Sequence, residues 1–288
     1  MPQMTGKVCL VTGATSGIGL ATAHALAKDG ATVIAVARNA QRGAEAVAQI
    51  RQATGNPAVV FLRTDLSVQA EVRRLAEDVA RRYPCVDVLI NNAAAFNMRR
   101  RLSADGIELT WALDYLSVYL LTRLLLGPLA ASAQGRIVTV STIVHHGARL
   151  HFDDLEGQQG YGSFRAYRQA KLAEIMFTYE LARRLAGTRI TANALHPGIV
   201  ATRIFTRHVG ILGALEPLMP LVMLSPQAGA ATTLYLAASP DVARVTGQYF
   251  DRRKAVRSSP ASYDAAAARR LWEISAEMTG LPSEPSWP

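Results

Sequence analysis

The chain has 288 residues, 50% of them hydrophobic and 18% charged, which fits one large α/β domain with a sizeable core. Two cysteines argue against a disulfide framework, and six histidines without metal-ligand spacing predict no metal site. The net charge of +9 comes from 31 basic residues spread along the chain, so we expect no nucleic-acid binding.

The first predicted strand, Lys7–Val11, leads directly into a glycine-rich segment. There, Gly13 allows a tight turn, Gly17 lets the backbone approach a pyrophosphate, and Gly19 permits close helix packing. The helix predicted over Ile18–Lys28 directs its first N–H groups at the phosphates. An ordinary glycine-rich connection is the alternative. The strand–turn–helix order favours a dinucleotide site that contains Gly13, Thr15, Ser16, Gly17, Ile18 and Gly19.

Arg38 follows the second predicted strand, Ala31–Ala37. An NAD-dependent protein usually places an acid here to hold the ribose 2′-hydroxyl, but the next acid is Glu45. The Arg38 guanidinium, with Arg42 one turn later, suits a 2′-phosphate instead. We therefore predict NADP(H) rather than NAD(H), and the alternative is a solvated arginine at a strand end.

Strand and helix patterns alternate along the rest of the chain. This alternation predicts the α/β class, as a single Rossmann-type doubly wound parallel sheet of about seven strands flanked by helices. Ligands bind such sheets where the carboxyl ends of the strands meet. The residues that follow strand ends, and so converge there, are Asp65, Leu66, Asn91, Asn92, Ala93, Thr142, Pro197 and Gly198.

Tyr167 and Lys171 lie four residues apart in the predicted helix Ser163–Arg184, so their side chains share one face. An ammonium lowers the pKa of a nearby phenol from about 10. A phenol tuned in this way can exchange a proton with an alcohol or carbonyl oxygen. The spacing also arises by chance on amphipathic helices, so its meaning depends on the glycine segment that precedes it.

The glycine segment and the Tyr167–Lys171 pair, in this order and at this separation, resemble the short-chain dehydrogenase/reductase family. The resemblance covers nearly the whole chain and is greatest to the retinol-dehydrogenase-like branch, through Leu120–Thr122, Phe152–Leu155, Leu195–Gly198 and Arg269–Ser275. It implies hydride transfer between NADP(H) and an alcohol, aldehyde or ketone, with Tyr167 as the acid/base and Lys171 on the nicotinamide ribose. The other cofactor-binding residues that it implies are Asp65 and Leu66 near the adenine, Asn92 and Ala93 beside the cofactor, and Pro197, Gly198 and Thr202 at the nicotinamide.

Two catalytic positions depart from the family pattern. Thr142 stands where the family has a serine, and Ser141 cannot easily substitute because neighbours on a strand face opposite ways. Asp114 stands where the family has an asparagine that helps to hold a water in the proton relay. We expect its negative charge to offset the pull of Lys171 on the Tyr167 phenol, and so to raise the pH optimum for alcohol oxidation. His145 and His146, just past Thr142, are expected to be solvated loop residues, and the alternative is that they line the substrate pocket.

The remaining expectations concern the surface of the protein. We expect one domain over 1–288, with 203–226 as an apolar insertion that covers a lipophilic substrate or packs on a partner or membrane surface. Residues 280–288 are expected to form a loose tail. The apolar breadth of the predicted helices Asp105–Leu129 and Ser163–Arg184, together with the family resemblance, predicts a homodimer. The lack of a signal peptide or a long apolar run predicts a cytoplasmic protein with no integral membrane segment.

Three functions remain open at this point. The first is an NADP(H)-dependent carbonyl reductase or alcohol dehydrogenase. The second is a non-redox cyclase, dehydratase or isomerase on the same scaffold. An Asp114 acting as its own acid would favour this function. The third is a protein that senses NADP(H) without turnover. The presence of both Tyr167 and Lys171 argues against it, since a sensor would not need them.

Overall fold

A computed structural model describes residues 4–200 and 224–284. Within these ranges the chain forms an eight-stranded sheet. Its strands are β1 (Val8–Thr12), β2 (Thr32–Ala37), β3 (Val59–Arg63), β4 (Val88–Asn91), β5 (Arg136–Val140), β6 (Thr191–His196), β7 (Tyr249–Asp251) and β8 (Lys254–Val256). The spatial order is β3-β2-β1-β4-β5-β6-β7-β8, and only the β7–β8 pairing is antiparallel.

Helices cover both faces of this sheet. They are α1 (Gly17–Lys28), α2 (Ala40–Thr54), α3 (Gln69–Arg82), α4 (Ser117–Leu124), α5 (Leu126–Ala130), α6 (Ser163–Arg184), α7 (Pro226–Ala238) and α8 (Ala265–Thr279), and a π-helix (Trp111–Leu116) leads directly into α4. In the described ranges we find no helix that is long and apolar enough to cross a membrane.

The strands are apolar because each side of the sheet meets a separate core. Successive residues of a strand point to opposite faces, so Cys9 and Val11 pack beneath one layer of helices and Leu10 beneath the other. The chain leaves β1 towards β2 on one side, whereas β4 pairs with β1 on the other. Such a reversal of strand order opens a crevice at the carboxyl ends of the strands.

The predicted fold class is confirmed, with an added short strand and shifted helix bounds. The three exposed residues of β8 show no apolar alternation, so the sequence patterns did not indicate this strand. The helix predicted to begin at Asp105 begins later, because 105–107 form a turn that closes a bridge between Leu102 and Glu108. The predicted insertion 203–226 lies outside the described residues up to 223, and Pro226 is already the first residue of α7.

The chain end is held more firmly than expected. Arg123 Nη2 donates to the Pro282 carbonyl at 2.7 Å, and Trp272 Nε1 donates to the Ser283 carbonyl at 2.7 Å. Arg184 forms an ion pair with Glu284 at 3.1 Å. The expectation of a loose tail is therefore wrong for 280–284, and 285–288 lie outside the described residues.

The apolar breadth of α4 and α6 is used within the chain, because α8 packs across both helices. The Trp272 side chain is only 1% exposed. Its ring lies 5.2 Å from the Tyr119 ring in an edge-on arrangement and 5.8 Å from the Phe177 ring in a stacked one. This packing removes the argument from apolar breadth for a homodimer, which stays a prediction from the family resemblance alone.

Truncation of Trp272 should weaken the fold substantially. We expect Trp272→Ala to lower the free energy of unfolding by about 3–5 kcal/mol, since the cavity would open against the Tyr119 and Phe177 rings. Urea unfolding measures this loss as a lower midpoint at an unchanged slope. Trp272→Phe is the matched control and should lose less, and a loss below about 1 kcal/mol for Trp272→Ala would contradict the packing described.

Candidate active site

One cavity of about 580 Å³ lies at the carboxyl ends of the central strands, a size typical of small-molecule sites. Asp114 is fully buried away from its lining, and Thr202 lies outside the described residues. The predicted site residues that line the cavity are Gly13, Thr15, Ser16, Gly17, Ile18, Gly19, Arg38, Asp65, Leu66, Asn92, Ala93, Thr142, Tyr167, Lys171, Pro197 and Gly198.

The glycine segment forms a tight cradle at one end of the cavity. Gly13 has a φ of +67°, which favours glycine, and a Cβ there would lie 2.9 Å from the Ala93 Cα. A Cβ on Gly19 would lie 2.3 Å from the Gly13 carbonyl oxygen. The Asn92 amide donates to the Thr12 carbonyl at 2.8 Å and closes this side of the loop. The first residues of α1 line the cavity, and the Ser16 side chain does not cap this helix start, so its backbone N–H groups suit a pyrophosphate.

Arg38 and Arg42 line the same end of the cavity, beside the predicted adenine side. The Arg38 side chain is 70% exposed, and its contact with Asp65 is a loose ion pair of 3.6 Å. Asp65 also accepts hydrogen bonds from the backbone and the hydroxyl of Ser67. Exposed ion pairs of this length stabilise a protein little, so Arg38 is available to an anionic ligand.

Tyr167 and Lys171 lie on the opposite wall, with the Lys171 Nζ 5.6 Å from the centre of the Tyr167 ring. The edge of the Phe96 ring packs against Tyr167 at 5.6 Å between centroids. Burial raises the pKa of Tyr167 to about 12, although Lys171 lowers it. The lysine therefore acts in the predicted direction, but the expectation of a lowered phenol pKa is wrong in net effect, because desolvation is the larger cause.

Lys171 is 2% exposed and forms an ion pair of 2.7 Å with Glu174, one helical turn later. Its Nζ also donates to the Val140 carbonyl at 3.4 Å. Burial is the largest single effect and lowers the pKa of Lys171, but Glu174, Tyr167 and Asp114 together raise it by more, so the amine stays charged. Glu174 was not among the predicted site residues, although a lysine and an acid three residues apart share a helix face, and this spacing could have indicated the pair.

Asp114 lies behind the cavity wall on the π-helix. Its Oδ1 accepts the Ala95 amide hydrogen at 2.8 Å, which anchors the segment after β4. Burial raises the pKa of Asp114 to about 7, against the opposing effect of Lys171. Burial therefore favours the protonated form of Asp114 more than was expected of a normally charged aspartate, which is the direction of the alternative in which Asp114 acts as an acid.

Thr142 is the hydroxyl that faces the cavity from the end of β5. The neighbouring Ser141 hydroxyl is engaged by the Lys171 carbonyl at 2.8 Å, in line with the expected alternation. His145 is fully buried, so the expectation of a solvated loop residue is wrong. Its Nε2 accepts the Ser259 amide hydrogen at 3.0 Å, and the proton must then reside on Nδ1, which donates to the Thr142 carbonyl at 2.7 Å. His145 thereby positions Thr142.

Apolar side chains line the part of the cavity near Tyr167. Ile143 and Ile199 are 51% and 61% exposed, which is unusual for isoleucine, and both border the opening. Leu113 and Val144 extend this apolar surface inwards. In the described ranges, no group of three or more His, Cys, Asp or Glu side chains is arranged to hold a metal ion.

Comparison with known proteins agrees with this geometry. The family model for short chain dehydrogenases matches residues 7–209. Retinol dehydrogenase 14 of Mus musculus is 42% identical over 292 residues, which cover 96% of this chain and 87% of the relative. A crystal structure of an uncharacterised protein from Mycobacterium paratuberculosis is 32% identical, with a TM-score of 0.82 over 99% of this chain and 97% of its own.

A second solved structure carries a bound cofactor. It is a short chain dehydrogenase from Burkholderia cenocepacia in complex with NADP, 26% identical, with a TM-score of 0.68 over 86% of this chain and 96% of its own. By the family match and the identity to curated relatives, the chain belongs to the short-chain dehydrogenase/reductase family of oxidoreductases, in its retinol-dehydrogenase-like branch.

Proposed function

We propose that the protein is an NADP(H)-dependent oxidoreductase that interconverts a lipophilic alcohol and its aldehyde or ketone. The observation that carries this proposal is the shared cavity, which has the glycine cradle at one end and the Tyr167–Lys171 pair at the other. A nicotinamide dinucleotide, when bound, supplies or accepts the hydride. The chain itself must bind the substrate oxygen and move one proton.

Tyr167 is the residue suited to move that proton. With a pKa raised to about 12, its phenol is fully protonated at neutral pH and ready to donate to a substrate oxygen. Thr142 presents a second hydroxyl from the end of β5, and its donation would stabilise negative charge as it develops on that oxygen. Lys171 keeps a positive charge beside the phenol and favours the phenolate that forms.

The preference for NADP(H) is argued from Arg38 and Arg42. Both guanidinium groups lie at the cavity margin, and no acid occupies the position after β2. Arginine suits a phosphate because its fork can donate two parallel hydrogen bonds. The NADP of the Burkholderia cenocepacia structure supports this proposal by analogy.

The lipophilic character of the substrate is argued from Ile143 and Ile199, which border the opening near Tyr167. Apolar side chains exposed at a cavity mouth gain free energy when a ligand removes them from water. The curated relatives are named retinol dehydrogenases, and this analogy points to a substrate of similar polarity.

A non-redox activity is the weaker candidate. It would need Asp114 as an acid in contact with the substrate, and the raised pKa of about 7 satisfies one half of that requirement. However, Asp114 is fully buried, and its Oδ1 is held by Ala95. The position of Asp114 therefore suits an electrostatic effect on Lys171 rather than contact with a substrate.

The first test is turnover of NADPH, with NADH in parallel, against apolar aldehydes and ketones. We expect faster turnover with NADPH, and a loss of roughly 100- to 10,000-fold in Tyr167→Phe, because the proton donor is removed. Nicotinamide fluorescence should show that this variant still binds NADPH. Tight binding with no turnover by the native protein across the panel would instead favour a non-redox enzyme.

Arg38→Gln should raise the KM for NADPH by roughly 10- to 100-fold, since a charge-assisted hydrogen bond to a phosphate is lost. The KM for NADH should stay nearly constant. Arg82→Gln, which removes an exposed arginine on α3 paired with Asp78, is the matched control. An equal change for both cofactors in Arg38→Gln would refute a role in 2′-phosphate recognition.

The rates should depend on pH in opposite ways for the two directions. Carbonyl reduction needs the Tyr167 phenol, so its rate should be flat through neutral pH, whereas alcohol oxidation needs the phenolate and should rise into the alkaline range. Asp114→Asn should move this rise to lower pH, because the charge of Asp114 raises the pKa of Tyr167. An unmoved profile would count against that coupling.

A further inference from the structure

Two fully buried carboxyl groups lie near one buried ammonium at the cavity wall. Glu174 and Asp114 are 1% and 0% exposed, and Lys171 is 2% exposed. Glu174 contacts Nζ directly at 2.7 Å, whereas Asp114 comes from the π-helix and acts on both groups through space. One ammonium neutralises only one carboxylate, so two ionised acids would leave an uncompensated negative charge in the protein interior.

Each carboxyl group also has one oxygen that the surrounding chain does not use. Over 4–200 and 224–284, neither Asp114 Oδ2 nor Glu174 Oε2 receives a hydrogen bond. The Ser141 hydroxyl donates to the Lys171 carbonyl at 2.8 Å, and it also lies close enough to the Glu174 carboxyl group to lower the pKa of Glu174. A buried carboxylate oxygen without a donor is costly, but a protonated carboxyl group carries its own hydrogen and needs no donor there.

We propose that Asp114 and Glu174 hold a single proton between them beside the Lys171 ammonium, and that this proton is the internal supply for Tyr167. The supply of this proton to Tyr167 rests on the proposed redox function, whereas the shared proton itself does not. Two acids that share a site cannot easily both ionise, so they titrate as a pair rather than as separate residues.

The protonation behaviour of the neighbouring groups agrees with this geometry. Burial raises the pKa of Asp114 to about 7 and that of Glu174 to about 8. The buried Asp87 is a contrast, because its hydrogen bonds from Val8, Ser132 and Lys7 outweigh burial and lower its pKa. The other titratable groups that face the pair are Glu108 ahead of the π-helix, Tyr161 in the loop before α6, Tyr167 on α6 and Tyr249 on β7.

The proton balance of one reduction follows from this arrangement. Tyr167 gives its O–H proton to the substrate oxygen and is left as a phenolate. Lys171 lies near the Tyr167 ring and contacts Glu174, so its ammonium returns a proton to the phenolate and is itself reprotonated by the carboxyl group that holds the shared proton. The pair then carries both negative charges until a proton from solvent restores it. Oxidation of an alcohol runs the same steps in reverse.

Infrared spectroscopy of the protein without substrate tests the shared proton directly. At neutral pH, the native chain should show the C=O stretch of a buried protonated carboxyl group, which shifts in D₂O. Asp114→Asn and Glu174→Gln should each lose this band, because the remaining acid is then fully ionised against Lys171. Glu180→Gln, which changes a buried acid on the same helix paired with Arg183 and Arg184, should keep it. A native spectrum without the band, or a band that survives in either single variant, overturns the proposal.

A single turnover of carbonyl reduction, followed with a pH-indicator dye, tests the supply. In the native protein, proton uptake from solvent should lag behind NADPH oxidation, and in both single variants the two should coincide. Simultaneous uptake in the native protein overturns the supply role. If no carbonyl compound is reduced, the redox function fails while the infrared result still decides whether the proton is shared.

Discussion

The buried ammonium of Lys171 is the constraint on which the candidate site depends. A charge removed from water must be compensated by opposite charge and hydrogen bonds, or the group loses its proton. Glu174 from α6 and the Val140 carbonyl from β5 supply this compensation directly, and Asp114 from the π-helix adds to it. Three elements must therefore pack together before Lys171 can be both buried and charged.

The same burial explains why the surrounding helices are apolar on several sides. Every residue of α6 from Gln169 to Ala182 is buried, so sheet, π-helix and C-terminal helix must all cover it. Trp272 fills the space over Tyr119 and Phe177, and Arg123 and Arg184 lie over its ring. Stability and site chemistry are thus linked, because the cover that keeps water from the core also desolvates Lys171 and its two acids.

Much of the architecture was predictable from local patterns. The glycine segment, the strand ends and the four-residue spacing of Tyr167 and Lys171 depend on short-range geometry, and the structure places them around one cavity. Glu174 was also predictable by the same reasoning, because it is an acid three residues from a lysine on one helix. His145 was not, because its partner Ser259 is 114 residues away and no periodicity connects the two.

The fold class and the side chains that share a helix face could be predicted from the chain alone, because strand and helix periods are local properties. The family was indicated by the resemblance carried by the glycine segment and the Tyr167–Lys171 pair. The packing of α8 over α4 and α6 became apparent in three dimensions, since the apolar breadth of a helix does not identify the surface that buries it. The tertiary structure also decided the proton affinities of Tyr167, Asp114 and Glu174. These depend on desolvation and on charges from distant segments, which have no signature in any one stretch of sequence.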